Sequence, residues 1–452
     1  MIYFRVYANI IKCCLCYIFS IESDKKYYLA GKSLLGASFR YPDKDKKSFV
    51  FFLKIFVKSL FVKQISDKEA CIKYSNGGTF FMDVEPDQKF GEYVQDNQQI
   101  RLAHLNYYYK GPINGVIWKS FLLGYLTYAD KLLQIVFLSL LFLFLLPFAV
   151  FRKLRASVGL IFFEYIELTN LIPLIRRNLI NKLFYYSIYE KDANMCAILL
   201  QNMGVEVNKI TSLTPLKIWN KIIIADVLIL SSFIQSEEVE KFKDTMLIGR
   251  TEVWGPESLV NIFGRYKKEM YNMNKKVIGF YSTCIYIRLA EGDSAEHYRI
   301  EDEENAMQIL AEYLKLRKDH KLIIFPHPRE RLPKYSKLMA DHYAAYFKET
   351  DYKINDSDLP SANSFESADL GVAFYSSTII ERLYCGFKCL TVTSEQSNFE
   401  LPDSMMKLSA TNKEDFISKM DLFLSVSNSE YFKLVELRSP LLDKLTLNTL
   451  PN

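Results

Sequence analysis

Between residues 275 and 393 the sequence alternates short apolar runs with segments of helical character. The apolar runs are KKVIGFYSTCIYIR (275–288, interrupted by a small polar turn), KLIIF (321–325), DLGVAFY (369–375) and KCLTVT (388–393). The helical segments are 301–321, which has acids in its first turn and bases in its last, and 377–386. Strands that alternate with helices of this length form parallel sheets covered by helices, because parallel strands need long crossover connections. The sequence therefore predicts an α/β fold.

An earlier part of the chain repeats this rhythm. Residues 181–212 predict a strand, a helix that stops at Gly204, and the strand VEVNKI, and NKIIIADVLILSSF (220–233) adds a buried strand. Trp254-Gly255-Pro256, within 249–270, indicates a domain boundary. The expected division is a mixed N-terminal region (1–130), a hydrophobic segment (131–155), a first Rossmann-like domain (156–255) that residues from 1–130 can complete, a second Rossmann-like domain (270–425) and a C-terminal tail (426–452).

One segment differs from the rest of the chain. Residues 132–151, LLQIVFLSLLFLFLLPFAVF, contain no charged residue, and Arg152, Lys153 and Arg155 follow. As a helix, this length matches the hydrocarbon thickness of a bilayer, and the basic flank favours a cytoplasmic location for the chain that follows. A very apolar buried helix would have the same composition. The lack of a polar face favours a membrane-associated segment, which either crosses the bilayer or lies in its interface.

Composition narrows the classes of function. A net charge of +5 over 452 residues gives no case for a nucleic-acid partner. The eight cysteines are scattered, with no matching second Cys-x-x-Cys pair, and the chain has five histidines, so a zinc site is not expected. This scatter suits reduced thiols in a cytoplasmic protein. The apolar stretch ANIIKCCLCYIFSI (8–21) lacks a signal-peptide cleavage site and is interpreted as a strand or core element.

A histidine stands between two prolines directly after the apolar run KLIIF. Pro326 and Pro328 lock two φ angles and prevent a helix from starting there, so His327 is held on a rigid turn. Ligands of open α/β sheets bind where strands end at their carboxyl edge. An imidazole at this edge can donate a hydrogen bond to a phosphate or to a base, although a turn that is only punctuated by prolines would have the same sequence.

Hydroxyl side chains occupy a second strand-to-helix junction, in VAFYSSTIIERLYCG. Ser376, Ser377 and Thr378 suit the start of a helix, where they cap free N–H groups and where the helix dipole attracts an anion. Ordinary N-capping explains them equally well when they are considered alone. Glu381 lies one turn into the helix, where it can accept hydrogen bonds from ribose hydroxyls or remain solvated. The two motifs fall at equivalent strand ends of one α/β unit.

This pairing resembles the second domain of GT-B glycosyltransferases, and more narrowly the bacterial sialyltransferase-like enzymes that use CMP-activated sugars. The resemblance covers about 275–400, is looser over 180–260 and does not include 1–155. It implies a GT-B-like fold in which two Rossmann-like domains face a cleft, here with a hydrophobic membrane-associated segment in the N-terminal part. The implied nucleotide-binding residues are His327, Pro328, Arg329, Ser376, Ser377, Thr378 and Glu381.

By the same resemblance, His327 contacts the CMP moiety, Ser376 and Ser377 contact its phosphate, and Glu381 contacts the ribose. Arg329 either adds positive charge near the phosphate or pairs with Glu330, and we predict the former.

The resemblance also implies a carboxylate in the first domain that acts as general base, since a sugar hydroxyl is a poor nucleophile until its proton is removed. The candidates are Glu190 and Asp192 in IYEKDAN, at a strand end. The segment LAEGDSAEH (289–297), with Glu291, Asp293 and His297, is a second candidate region. The family's acidic motif is absent in its usual form. Transfer is expected to be inverting and independent of a metal, with the helix dipole, hydroxyls and His327 at the leaving phosphate.

The leading hypothesis is a glycosyltransferase of bacterial surface-polysaccharide biosynthesis (capsule, O-antigen or lipooligosaccharide). It would transfer a sialic-acid-like or Kdo-type sugar from a CMP donor to a glycan or lipid-linked acceptor, at the cytoplasmic face of the inner membrane. The expected partners are the nucleotide-sugar substrate, the acceptor and the inner leaflet, with no cofactor and no nucleic acid. The alternatives are a CDP-glycerol-type polyol-phosphate transferase and a non-catalytic membrane scaffold with a degenerate transferase fold.

Overall fold

The computed structural model describes most of the chain in several stretches. These are residues 2–36, 78–83, 100–103, 116–118, 127–150, 161, 165, 168–169, 172, 180–185, 193–211, 222–230, 234–253, 276–291, 300–357, 359, 361–374, 376–392, 403–410 and 412–437. They form two compact units, one built largely from residues before 253 and the other largely from residue 253 onward.

The first unit contains a seven-stranded sheet. Its strands are β1 (Gly78–Asp83), β2 (Ile100–Ala103), β3 (Val116–Trp118), β4 (Ile180–Tyr185), β5 (Glu206–Ile210), β6 (Ile223–Leu230) and β7 (Met246–Val253), in the order β3-β2-β1-β4-β5-β6-β7. Pairing is parallel from β3 through β6. The helices in this part of the chain are α1 (Ile2–Ile18), α2 (Lys25–Gly36), α3 (Tyr128–Val150), α4 (Ala193–Gln201) and α5 (Ile234–Lys241).

The second unit contains a six-stranded parallel sheet. Its strands are β8 (Val277–Tyr281), β9 (Lys321–Phe325), β10 (Tyr352–Ile354), β11 (Leu370–Ala373), β12 (Lys388–Val392) and β13 (Ser409–Ala410), in the order β10-β9-β8-β11-β12-β13. Its helices are α6 (Ile285–Ala290), α7 (Ile300–Leu316), α8 (Ser336–Phe347), α9 (Ser377–Tyr384), α10 (Lys413–Ser425) and α11 (Asn428–Leu434). All five positions of β12 are buried, as expected for a strand covered on both faces.

The two sheets share one topology. In each, the first three strands run outward from the middle of the sheet. The remaining strands, four in the first sheet and three in the second, start again at the middle and run outward on the other side. This is the doubly wound order, in which the direction of winding reverses between β1 and β4 in the first sheet and between β8 and β11 in the second. Ligands of such sheets bind at the carboxyl edge beside this switch point. In the second sheet, a ligand site is therefore expected at the loops after β8, β9 and β11.

Several local predictions need correction. The stretch 8–21 lies mostly in helix α1 and is not a strand, since its buried residues Ile10, Cys13 and Cys14 have helical spacing. The alternative interpretation as a core element is correct, because these residues belong to the hydrophobic core of the first unit. The segment 275–288 contains a strand only as far as Tyr281. Cys284 then adopts the left-handed conformation (φ 62°, ψ 28°) and the chain turns directly into α6.

The C-terminal end of the expected division also differs from the structure, whereas its N-terminal region contributes to the first sheet as that division allows. Residues from 1–130 supply α1, α2 and three strands of the first sheet. The expected C-terminal tail begins with helix α11, which Ser427 and Glu430 cap reciprocally. Its buried Tyr431 donates a hydrogen bond from its hydroxyl to the carbonyl of Cys389 on β12 (2.6 Å), so this helix is part of the second unit.

Candidate nucleotide-binding site

Three loops leave the second sheet at the same carboxyl edge. The register pairs Tyr281 with Phe325 and Phe280 with Val372, so β8, β9 and β11 end at the same level. The loop after β9 carries His327, and the loop after β11 carries Ser376. Because β8 lies between these strands and neighbouring strands are about 4.8 Å apart, the two loops leave the sheet about 10 Å from each other.

His327 has a defined protonation state in this turn. Its Nδ1 accepts a hydrogen bond from the backbone N–H of Arg329 (3.1 Å), so the ring proton is on Nε2. Burial, together with the positive charges of Arg288 and Arg329, lowers the pKa of His327 to about 4. The imidazole is therefore neutral at pH 7 and presents one N–H donor. Pro328, beside it, is exposed and shapes the backbone of the turn.

Two buried carboxyl groups hold the neighbouring loops, and the sequence did not reveal either of them. Glu330 accepts hydrogen bonds from the backbone N–H of His327 and from the Tyr343 hydroxyl (2.7 Å). Glu303, on α7, accepts hydrogen bonds from the backbone N–H (3.1 Å) and the hydroxyl (2.7 Å) of Thr283, in the turn after β8. Burial raises the pKa of both groups, that of Glu303 to about 7. Each carboxyl group thus positions one loop of the candidate site.

The replacement Glu303→Gln tests the protonation of this group. Because the pKa of Glu303 is raised above its ordinary value of 4.5, the folded protein holds this proton more tightly than the unfolded chain. The stability that protonated Glu303 contributes is fully present below pH 4.5 and is lost as the pH rises through 7. Gln does not titrate, so the free energy of unfolding should fall less between pH 5 and pH 8 in the variant than in the wild type. We expect the two decreases, measured by urea titration, to differ by about 2 kcal/mol.

The matched control for this prediction is Glu301→Gln, which changes an exposed acid in the same helical turn. It should leave the pH dependence of the wild type intact. Equal pH dependence in Glu303→Gln and the wild type would contradict the prediction.

Basic side chains surround the turn of His327. The guanidinium of Arg329 pairs with Glu291 (3.4 Å), which also pairs with Lys334 (2.9 Å). Among the described residues, Glu291 is the ion-pair partner found for Arg329, whereas the carboxyl group of Glu330 is buried and accepts from His327 and Tyr343. Glu291, a residue of the second candidate region for the base, is therefore bound by two cations. This region's other candidates, Asp293 and His297, lie outside the described residues.

Arg288, on α6, is a further residue that the sequence did not single out. It lies close enough to His327 for its positive charge to add to the effect of burial, which lowers the pKa of that imidazole. Within the described part of the chain, its buried Nε has no hydrogen-bond partner. A buried guanidinium N–H without an acceptor is costly, and an anion at this edge would supply the acceptor.

The start of α9 is capped as the hydroxyl motif predicts. The Ser376 hydroxyl oxygen accepts a hydrogen bond from the backbone N–H of Thr378 (3.2 Å), with Ser376 in extended conformation. Such a cap contributes about 1 kcal/mol to stability. Ser376, Ser377, Thr378 and Glu381 are all half-buried. The start of this helix offers N–H groups and the positive end of a dipole to an anion.

Arg382 fixes α9 to the sheet. It is fully buried and donates hydrogen bonds to the Tyr281 hydroxyl (2.7 Å) and to the carbonyls of Phe365 (3.1 Å), Ala368 (3.0 Å) and Lys388 (3.3 Å). It therefore ties the helix that follows β11 to the strands on either side. The sequence analysis did not identify this residue.

Glu190 and Asp192, the candidate catalytic carboxylates, lie outside the described residues. Within the ranges that the structure describes, no group of three or more His, Cys, Asp or Glu side chains is arranged to hold a metal ion.

No protein-family model and no curated protein matches this sequence. Solved structures align over most of the chain at low identity. They include a glycosyltransferase from Rickettsia africae (12% identity, 83% of this chain and 96% of that chain, TM-score 0.40). HepE from Anabaena, in complex with UDP and glucose, aligns at 11% identity over 82% of this chain and 97% of that chain (TM-score 0.44). The wall teichoic acid polymerase TagF aligns at 10% identity over 89% and 93% (TM-score 0.42).

Proposed function

We propose that the chain is a GT-B glycosyltransferase that binds a nucleotide-activated sugar at the carboxyl edge of its second sheet. The observation that carries this proposal is the arrangement of groups suited to a phosphate around the switch point between β8 and β11. These groups are the Nε2–H of neutral His327, the guanidinium of Arg288 and the capped start of α9. The doubly wound order of the first sheet suits the other Rossmann-like domain of such an enzyme, the one expected to precede the nucleotide-binding domain.

The site offers separate groups to the parts of a nucleotide. The loops after β9 and β11 leave the sheet about 10 Å apart, a distance that a phosphate and its ribose can bridge. In the proposed complex, the start of α9 and Arg288 bind the phosphate, His327 donates to the phosphate or the base, and Glu381 accepts from the ribose. Arg329 adds positive charge at the rim while it pairs with Glu291.

The proposed chemistry is an inverting transfer. A base in the first domain, for which Glu190 and Asp192 are the candidates, takes the proton of the acceptor hydroxyl as that oxygen attacks the anomeric carbon. The bond from this carbon to the phosphate oxygen breaks, and negative charge develops on the leaving phosphate. The N–H donors and the helix dipole are already oriented toward this charge, so they stabilise the transition state without a metal.

The proposed donor is a CMP-linked sugar of the sialic-acid or Kdo type. The support for this choice is the pairing of His327-Pro328 with Ser376-Ser377-Thr378 in the sequence. The proposed acceptor is a glycan or lipid-linked saccharide of a bacterial surface polysaccharide, at the cytoplasmic face of the inner membrane. The apolar helix α3 and the basic residues after it support this location.

A thermal-shift screen with CMP, CDP, UDP, GDP and their sugars tests the proposal. A nucleotide that binds only the folded state raises the melting temperature, and at a concentration of 100 Kd it stabilises the protein by about 2.7 kcal/mol. We expect the largest increase with cytidine nucleotides and a glycosidic product on turnover. A phosphodiester product would instead assign a polyol-phosphate transferase. The absence of a shift and of turnover with every donor would contradict an enzymatic role.

A further inference from the structure

Helix α3 presents a continuous apolar face to solvent. Among the described residues it is the one helix that is long and apolar enough to cross a membrane. Among its described side chains, the large exposed ones are Tyr128 at the start of the helix and then Leu132, Leu133, Val136, Leu140, Phe142 and Leu143. Leu132 and Leu143 are 63% and 62% exposed. Phe4 of α1, 58% exposed, lies beside Phe137 of α3 (ring centroids 6.2 Å apart) and extends this face.

The polarity of α3 is the reverse of that of a helix that faces water. Its polar residues Asp130, Lys131 and Gln134 are buried, and the Gln134 amide donates to the Thr169 hydroxyl (2.7 Å). On the exposed side, the one polar residue of the described stretch from 132 to 145 is Ser139, whose hydroxyl donates to the carbonyl of Ile135 in its own helix (2.9 Å). The exposed face thus suits an apolar surrounding and not water.

The other face of α3 is part of the core of the first unit. Leu141 and Leu145 are buried in a cluster that includes residues of α1, α4 and the sheet, and Phe137 contacts Tyr7 of α1 (5.6 Å). At the surface of α1, Lys12 and Asp24 form an exposed ion pair. A helix that crosses the bilayer is surrounded by hydrocarbon or other apolar segments, whereas α3 is fixed to a unit with exposed charges.

We propose that α3 lies in the plane of a membrane, with its exposed face in the headgroup and acyl-chain boundary of one leaflet. The basic residues Arg152, Lys153 and Arg155 directly follow α3, and their charge complements anionic phospholipids. The occupant of the face is therefore a lipid surface rich in anionic lipid. This inference specifies the membrane location of the proposed function, but it rests on α3 alone and not on nucleotide binding.

Flotation of the purified full chain with vesicles of phosphatidylglycerol and phosphatidylcholine tests the inference. We expect the wild type to float with anionic vesicles and to be released from membranes by alkaline carbonate. The triple variant Val136→Asp, Leu140→Asp, Leu143→Asp should lower the partition coefficient at least about tenfold. In this variant, charged side chains replace apolar ones that the membrane would bury. Leu316→Asp, which changes a residue 71% exposed in the second unit, is the matched control and should not alter flotation.

A second variant, Arg152→Gln, Lys153→Gln, Arg155→Gln, lies outside α3 and keeps the inference testable if the aspartate variant does not fold. It should remove the preference for anionic over neutral vesicles. Unchanged flotation in both variants would overturn the inference, as would resistance of the wild type to carbonate extraction, which indicates a spanning segment. The inference would also be overturned if the wild type were a dimer in the absence of vesicles and the aspartate variant were a monomer. A second copy of the chain would then cover the exposed face of α3. The change in melting temperature caused by nucleotides is measured without vesicles. The proposal of nucleotide binding and the proposal of membrane binding can therefore fail independently.

Discussion

Replacement of Arg382 by methionine will lower the free energy of unfolding of the second unit by about 4 kcal/mol, the range found when one member of a buried polar network is removed. Arg382 is fully buried and donates to the Tyr281 hydroxyl and to three backbone carbonyls. Methionine fills much of the same volume but has no donor, so each of these four acceptors loses a hydrogen bond, although the Phe365 carbonyl still accepts from the backbone N–H of Ala368 (3.4 Å). Each buried acceptor without a partner costs about 1 kcal/mol or more.

The local geometry also leaves little room for compensation. A Cβ added at Gly371 would lie 2.5 Å from Nε and 2.6 Å from Cδ of Arg382, so the arginine packs directly against the backbone of β11. Arg382→Lys should give an intermediate loss, because the ammonium keeps the charge but cannot reach all four acceptors in the fixed geometry of the guanidinium.

Urea unfolding monitored by circular dichroism measures this effect. The control is Arg317→Met, which removes an exposed arginine that pairs with Asp421 (2.8 Å). Exposed ion pairs contribute about 0–1 kcal/mol, so the control should differ little from the wild type. If Arg382→Met lost less stability than Arg317→Met, the buried network would not hold α9 in place.

The strands and helices around this network were largely predictable from sequence. The runs KLIIF, VEVNKI and KCLTVT are short and rich in β-branched and other apolar residues, and they form β9, β5 and β12. Helix α7 follows from its spacing of apolar residues. The predictions failed where a run could form either element, as in IYIR, because only the left-handed turn at Cys284 shows that β8 has already ended.

Within the candidate site, the sequence indicated residues that have a local signature. His327 stood out between two prolines, and Ser376 stood at a strand-to-helix junction. Glu303 and Arg382 have no such signature, since one is among several acids in the first turn of α7 and the other resembles a solvated residue of α9. Tertiary packing alone decides which acid or which arginine becomes buried, so sequence patterns do not reveal these positioning residues.

Replacement of His327 by alanine will weaken nucleotide binding about a hundredfold, or about 3 kcal/mol, if the proposed site is correct. The variant removes the Nε2–H donor from the loop at the carboxyl edge, and a hydrogen bond to a charged phosphate contributes about 1.5–3 kcal/mol. It also leaves the backbone N–H of Arg329 without its acceptor. His327→Gln places an N–H near the position of Nε2 and should therefore recover part of the affinity.

The pH dependence distinguishes this role from general damage to the site. In the free protein, the pKa of His327 is lowered to about 4, so the imidazole is neutral between pH 6 and 8. A bound phosphate raises this pKa, since a nearby anion favours the charged form. The affinity of the wild type should consequently increase as the pH falls from 7 toward 5, and His327→Gln should lack this increase. A nucleotide sugar, whose phosphodiester does not titrate in this range, is the appropriate ligand.

Isothermal titration calorimetry with the donor identified by thermal shift measures both effects. The control is His320→Ala, since His320 directly precedes β9 and so lies at the opposite edge of the same sheet. Its replacement should leave the affinity unchanged, even if it lowers stability through the loss of contacts with Tyr313 and Asp319. Equal affinities of the wild type and His327→Ala would remove His327 from the site. Equal losses in His327→Ala and His320→Ala would show that the effect reflects the stability of β9 and not a contact with the nucleotide.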